Sequence, residues 1–164
     1  MSDTAVPTVA LTGRFADRDS WAAEGCPIDA TISLVGARAV ILLLREAFYG
    51  AHCFKDFVAR AGFTEAVTAA RLKELLNAGI LELRPYQEPG QRRREAYYLT
   101  EKGLDLFPVL VALAAWGERW KPDGTAAASL VHEDCGAELK ADVQCANGHH
   151  VNVSQASLRP VEGE

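Results

Sequence analysis

The stretch from Phe54 to Thr100, FKDFVARAGFTEAVTAARLKELLNAGILELRPYQEPGQRRREAYYLT, decides the fold. Phe54, Phe57, Val58 and Ala61 recur at the spacing of one face of a short helix. Gly62 then makes a tight turn. Thr64 suits the N-cap of a following helix, because its hydroxyl can accept from the amides of the first turn. Apolar positions on that helix fall at Val67, Leu72, Leu75 and Leu76, and Asn77-Ala78-Gly79 closes it. Ile80 to Arg84 alternates, which is the strand signal. Pro89-Gly90 marks a turn, three arginines follow, and Glu95 to Leu99 reads as the returning strand. The reading is therefore a helix-turn-helix followed by a hairpin with a long, basic tip.

Working outward, Pro27 to Tyr49 is rich in Ile, Leu, Val and Ala. Pro27 suits a first helical position, where its missing N–H costs nothing. Ile28, Ile32 and Val35 share a face, Gly36 breaks the run, and Val40 to Leu44 with Ala47 and Phe48 continue as a buried helix that Gly50 ends. On the other side, Thr100-Glu101-Lys102-Gly103 opens a last helix, expected to run unbroken through Leu104, Phe107, Val111, Ala114 and on to Trp120. It is apolar on too many faces for a monomer surface, so it should find a partner. The fold class is α+β and mostly helical: a winged helix-turn-helix domain over residues 26–120, with N- and C-terminal dimerisation helices. Residues 1–25 read as a polar tail, ordered in part against a partner subunit. Residues 121–129 read as a linker, and 130–164 as a small β-hairpin-like tail.

Composition narrows the function. An apolar share of 49% in 164 residues is enough to bury a core without disulfide staples. A net charge of -5 argues against a non-specific nucleic-acid coat but not against a specific binder, which needs positive charge only where it faces phosphates. Cys26, Cys53, Cys135 and Cys145 are too few and too scattered for a secreted disulfide framework. Met1 to Ser20 has no apolar core of signal-peptide length, and no run reaches the roughly 18 apolar residues of a membrane span. A cytoplasmic protein with reduced thiols is expected. There is no Ser-His-Asp order, phosphate loop or paired acids; Glu46, Asp56 and Glu74 read as solvated helix residues. Neither an enzyme nor a cofactor is expected.

The candidate site follows from the element order. The helix opening at Thr64 is placed to enter a major groove, which at about 12 Å wide admits one helix. Its outward positions are Thr64, Glu65, Ala66, Ala69, Ala70 and Lys73, a set poor in the Arg, Asn and Gln side chains that read base edges. Gln91, Arg92, Arg93 and Arg94 at the hairpin tip suit phosphates or a minor groove, against the blander reading of a solvated loop.

Several segments carry a family resemblance: Cys26-Pro27, Gly36-Ala37-Arg38, Arg45-Glu46-Ala47, Ala78-Gly79-Ile80-Leu81, Arg84-Pro85-Tyr86, Tyr98-Leu99-Thr100-Glu101-Lys102-Gly103 and Trp116-Gly117. In order and spacing, from Cys26 to Trp120, they resemble the HxlR family of bacterial transcriptional regulators. The resemblance implies a winged-helix homodimer on a pseudo-palindromic double-stranded operator near promoters. Its interface would be built by the first and last helices, through Ile28, Ile32, Leu106, Leu110, Leu113, Trp116 and Trp120. It also implies a small-molecule effector or an electrophile response at the position of Cys26, the candidate thiol sensor. The helix dipole favours a thiolate there, while a small buried interface residue is the competing reading. Cys53 reads as structural.

The chain departs from the family pattern in four ways, one being a wing of Pro89-Gly90-Gln91-Arg92-Arg93-Arg94-Glu95 in place of a proline-rich form. Ala39 stands where a tryptophan is usual, although the preceding cation remains as Arg38, able to reach a phosphate from the start of the second helix. Thr68 replaces an inward leucine, and its hydroxyl needs a partner. The reading helix is chemically plain, so affinity should come mostly from the wing and Arg38, with Ala66 or Ala69 touching thymine methyls. The function expected is a dimeric regulator of promoter DNA. The alternative is an effector-binding or protein-interaction module that kept the winged fold and lost its operator. A ligand pocket lined by Phe107, Leu110 and Trp116 competes with a plain dimer-interface core.

The tail reads His132-x-x-Cys135-Gly136, then Cys145-x-x-Gly148-His149-His150. It resembles a worn zinc ribbon, with His132, Cys135, Cys145 and His149 as the zinc candidates. One spacing is wrong and four ligands are needed at once, so no metal is assigned. The metal-free alternative is a hairpin with Val143, Val151 and Val153 on its apolar side.

Overall fold

A computed structural model describes residues 6–22, 25–87, 92–120 and 128–161. The chain divides into two compact units: Pro27–Lys140, and Met1–Cys26 together with Ala141–Glu164.

In the larger unit, α1 spans Pro27–Val35 and α2 spans Arg38–Phe48. The N–H of Gly36 donates to the Ile32 carbonyl at 2.7 Å, where any Cβ would collide with Ile32. The chain therefore turns there, and the two helices meet at 79°. No single helix among the described residues is long and apolar enough to cross a membrane. Helix α2 is the hub of the core: Val40, Leu43 and Leu44 are buried against Phe57 and Ala61 of α3 (Phe54–Ala61), Leu72 and Leu75 of α4 (Glu65–Asn77), and Ile80 and Leu81. Glu46, expected to be solvated, is buried on the same helix, and the adjacent Arg45 guanidinium donates to its carboxylate.

Gly62 adopts φ +74°, a left-handed conformation that ends α3 within one residue. Thr64 then caps α4, its hydroxyl accepting from the Val67 amide at 3.3 Å. Thr68, Leu72 and Leu75 form the buried stripe of α4. That register corrects the sequence reading of Val67: one residue out of step with the stripe, it is exposed. Thr68 is fully buried, and its hydroxyl has no partner among the described residues.

The wing is an antiparallel pair, β2 (Leu81–Tyr86) and β3 (Arg94–Leu99), with Leu81 opposite Leu99 and Tyr86 opposite Arg94. The Pro89-Gly90 turn and Gln91 lie outside the described residues. The wing is anchored at its root by the Tyr97 amide, which donates to the His52 carbonyl at 2.8 Å, and by the Tyr97 ring edge-on to Phe57 at 5.8 Å.

Thr100 to Gly103 ties the end of the wing to the end of α4. The Thr100 hydroxyl donates to the Gly79 carbonyl at 2.7 Å, and Lys102 Nζ donates to the Ala78 carbonyl at 2.8 Å. The helix expected to run unbroken from here to Trp120 is instead two: α5 (Glu101–Leu104) and α6 (Phe107–Trp120). Pro108 explains the break. It has no N–H for the Leu104 carbonyl, and its ring disfavours helical geometry in the residues before it. Helix α6 restarts with the Val109 and Leu110 amides both donating to the Leu106 carbonyl.

In the smaller unit the N-terminal segment, read from sequence as a tail, carries a short strand. Strand β1 (Ala10–Leu11) pairs in parallel with β4 (Ser157–Leu158) of the same chain. Two short 3-10 turns follow β1, and Trp21 packs edge-on to Phe15 at 5.1 Å. The tail expected as one hairpin is two separately bridged turns, Val131 with Glu138 and Gln144 with His150. The first falls in the larger unit and the second in the smaller.

Candidate nucleic-acid interface

Fixing Thr68, Leu72 and Leu75 inward dictates what α4 presents outward. Thr64, Glu65, Ala66, Ala69, Ala70 and Lys73 are all exposed, and Val67 joins them. The face is small and mostly apolar, with one acid in the first turn and the Lys73 ammonium two turns on. Arg71, also on α4, is held by Glu74 at 2.7 Å, a pairing that raises the guanidinium's already high pKa. That arginine is committed within the helix and adds no uncompensated charge to the face.

Arg38 opens α2, and its guanidinium lies over the Phe63 ring at 5.4 Å. Phe63 immediately precedes the Thr64 cap. The ring therefore holds a cation beside the N-terminus of α4, where the backbone amides of the first turn also face outward. Phe63 was not singled out from sequence; its position directly before a helix cap was the available signal.

Arg92, Arg93 and Arg94 are all exposed at the start of the returning strand. Arg84, exposed on β2, lies over the Tyr98 ring at 5.2 Å and pairs with Glu82 at 2.6 Å. His52 meets both wing tyrosines, edge-on to Tyr86 at 5.0 Å and stacked on Tyr98 at 6.2 Å between centroids. Burial, and then the nearby Glu95 carboxylate, hold the Tyr97 phenol above its ordinary pKa, so it is uncharged at neutral pH. The outer strand is thus basic while its inner ring is neutral and packed.

Away from this face, α1 is exposed from Pro27 to Leu34, with Ile28 at 69% and Ile32 at 59%. Leu113, Trp116 and Trp120 on α6 are exposed by half or more. Leu106 and Leu110, grouped with them from sequence, pack in part against the subunit's own core. Phe107, Leu110 and Leu113 line a cavity of about 210 Å³ with Ile41, Phe48 and Tyr49. Trp116, expected there, is not among the lining residues.

Cys26 directly precedes α1, half-buried, and no disulfide joins the four cysteines. In the tail, His132 Nδ1 lies 3.2 Å from Cys135 Sγ, and His149 Nδ1 lies 3.5 Å from Cys145 Sγ. Backbone amides of His149 and Asn147 hold the Cys145 thiol below its ordinary pKa. Among the described residues, no group of three or more His, Cys, Asp or Glu side chains is arranged to hold a metal ion.

Known proteins share this arrangement. A model of the HxlR-like helix-turn-helix family matches residues 34–125. An uncharacterized HTH-type transcriptional regulator of Mycobacterium tuberculosis is 31% identical over 143 residues, covering 85% of this chain and 89% of that protein. Among solved structures, PA1607, a candidate transcription factor, superposes with a TM-score of 0.74 at 30% identity, covering 82% of this chain and 94% of the other. The redox regulator HypR in its oxidized form aligns with a TM-score of 0.51 at 26% identity, over 57% of this chain and 96% of that one.

Proposed function

The chain belongs to the HxlR-like helix-turn-helix family of transcriptional regulators, and from that membership we propose that it acts as a homodimer on promoter DNA. The observation that carries this reading is the α4 face itself. Its outward positions are exposed, Arg38 on Phe63 stands beside its N-terminus, and the wing of the same domain carries exposed Arg92, Arg93 and Arg94.

In this reading α4 of each subunit enters a major groove, with half-sites about 34 Å apart, one turn of DNA. Arg38 and Arg92 to Arg94 neutralise phosphates and set the register. Sequence preference comes from apolar contact of Ala66, Val67 and Ala69 with thymine methyls. The plain α4 face makes phosphate contact the larger part of the affinity, so binding should be steeply salt-dependent.

The test is a titration against the promoter DNA upstream of the gene at several salt concentrations. Arg92→Ala/Arg93→Ala/Arg94→Ala is run alongside. Each lost phosphate contact should lower the slope of log K against log salt by about 0.9. A slope unchanged in the triple variant removes the wing from the interface. No preference for promoter over random DNA at low salt favours a module that kept the fold and lost its operator.

Regulation is placed at Cys26, at the start of the exposed α1, by analogy with HypR, described as a redox regulator. Modification there alters how α1 meets the partner subunit. Cys26→Ser should bind DNA normally and lose any response to a quinone. A response that persists in Cys26→Ser excludes this thiol.

A further inference from the structure

A second cavity, of about 270 Å³, lies where the tip-side end of the wing meets the start of α3. Its charged lining is Lys55, Arg92 and Arg94 against the single carboxylate of Glu95, so it is net positive. Among the described residues, none of those three cations forms an ion pair. The N-cap of α3 is Cys53, whose side chain makes no cap hydrogen bond, so the partly positive amides of that first turn gain no anionic or hydroxyl partner from it. The remaining walls are aromatic: Phe54 from α3 and Tyr86 from β2.

We propose that this cavity binds a small aromatic carboxylate, and that its occupation competes with DNA for the wing arginines. Charge selects an anion. The planar guanidinium forks of Arg92 and Arg94 suit a carboxylate held by paired hydrogen bonds. The Phe54 and Tyr86 rings select a flat apolar body over a bare inorganic anion. The volume falls just under the range usual for small-molecule sites, which begins at about 300 Å³, and so fits one ring and one anionic group. Arg92 and Arg94 cannot close on a ligand in the cavity and lie along phosphates together, so ligand and operator exclude each other through the same two side chains. This consequence for DNA rests on the function proposed above; the binding itself does not.

Benzoate is the probe, with inorganic phosphate as the ring-free anion. Calorimetric titration of the full chain should give saturable benzoate binding with one site per chain and weaker binding of phosphate. Lys55→Gln, which removes an exposed cation of the cavity and leaves the wing intact, should weaken benzoate about tenfold. Cys53→Met, which fills the cavity, should abolish it. Saturating benzoate should then lower operator affinity of the unmodified chain and leave that of Cys53→Met unchanged. Absence of saturable binding, or affinity in Lys55→Gln and Cys53→Met equal to that of the unmodified chain, overturns the site. Benzoate binding that leaves operator affinity untouched overturns the competition. A chain that never binds the operator counts against the function proposed above and leaves the calorimetric result standing.

Discussion

Thr68 lies directly beneath the outward face of α4, with its hydroxyl buried and unpartnered among the described residues. A polar group that gives up water and gains nothing costs about 1–3 kcal/mol. Thr68→Val keeps the branched shape and replaces the hydroxyl with a methyl. It should stabilise the chain by about 1 kcal/mol, read as a higher urea midpoint at unchanged slope. Because the side chain points inward, operator affinity should not move. A lower midpoint would show that the hydroxyl has a partner, such as a buried water, and that the core needs it. The inward position and the need for a partner were both legible in the sequence. Val67, one residue earlier, was not: it is as apolar as its buried neighbours, and only the 100° step between consecutive helical residues puts it on the other side.

At the scale of elements, the wing is placed by the Thr100–Gly103 latch as much as by its own pairing. A Cβ on Gly103 would overlap the Ile80 carbonyl, which already accepts from the Thr100 amide at 3.1 Å. Gly103→Ala must therefore push α5 away from the wing or leave its cap strained, at a cost of about 1–3 kcal/mol. Thermal unfolding should show a fall in Tm of about 2–4 °C per kcal/mol. An unchanged Tm would mean that α5 can shift freely and that the close approach carries no structural weight. The helices, the Gly62 turn, the caps and the hairpin were legible because each is specified by residues within one or two turns of one another. The break between α5 and α6 was missed because apolar periodicity runs straight across it, while the single residue that forbids continuity, Pro108, sits within that periodicity. Pairing of β1 with β4 was beyond reach for a different reason: the two strands are short, and their partnership spans almost the whole chain. Of the candidate interface, the exposed α4 positions and the basic wing could be read directly, whereas the Phe63 platform under Arg38 required the packing of α2 beside the turn.

For the whole molecule, the strongest demand is set by the apolar surface that α1 and α6 leave exposed among the described residues. Helix α1 buries only Val35, and α6 buries only Val111. Burial of apolar area is worth about 25 cal/mol per Å², so two such helices left in water would forgo a large stabilisation. The exposed residues of these helices, Ile28 and Ile32 on α1 and Leu113, Trp116 and Trp120 on α6, lie outside the core cluster, which is built mainly by α2, α3, α4 and the start of the wing. A charge on this face should therefore separate the proposed dimer without unfolding the winged core. Ile32→Asp, at an α1 position that is 59% exposed, is the cleanest choice. Sedimentation at micromolar concentration should give a dimer for the unmodified chain and a monomer for the variant, with helical content by circular dichroism nearly equal. Operator affinity should fall by about a hundredfold or more, because two half-sites are no longer read by one linked pair. A variant that sediments as the unmodified chain does would remove α1 from the interface. A monomer that keeps full operator affinity would mean that a single α4 with its wing is the DNA-binding unit, and that pairing of subunits serves the response to effectors instead.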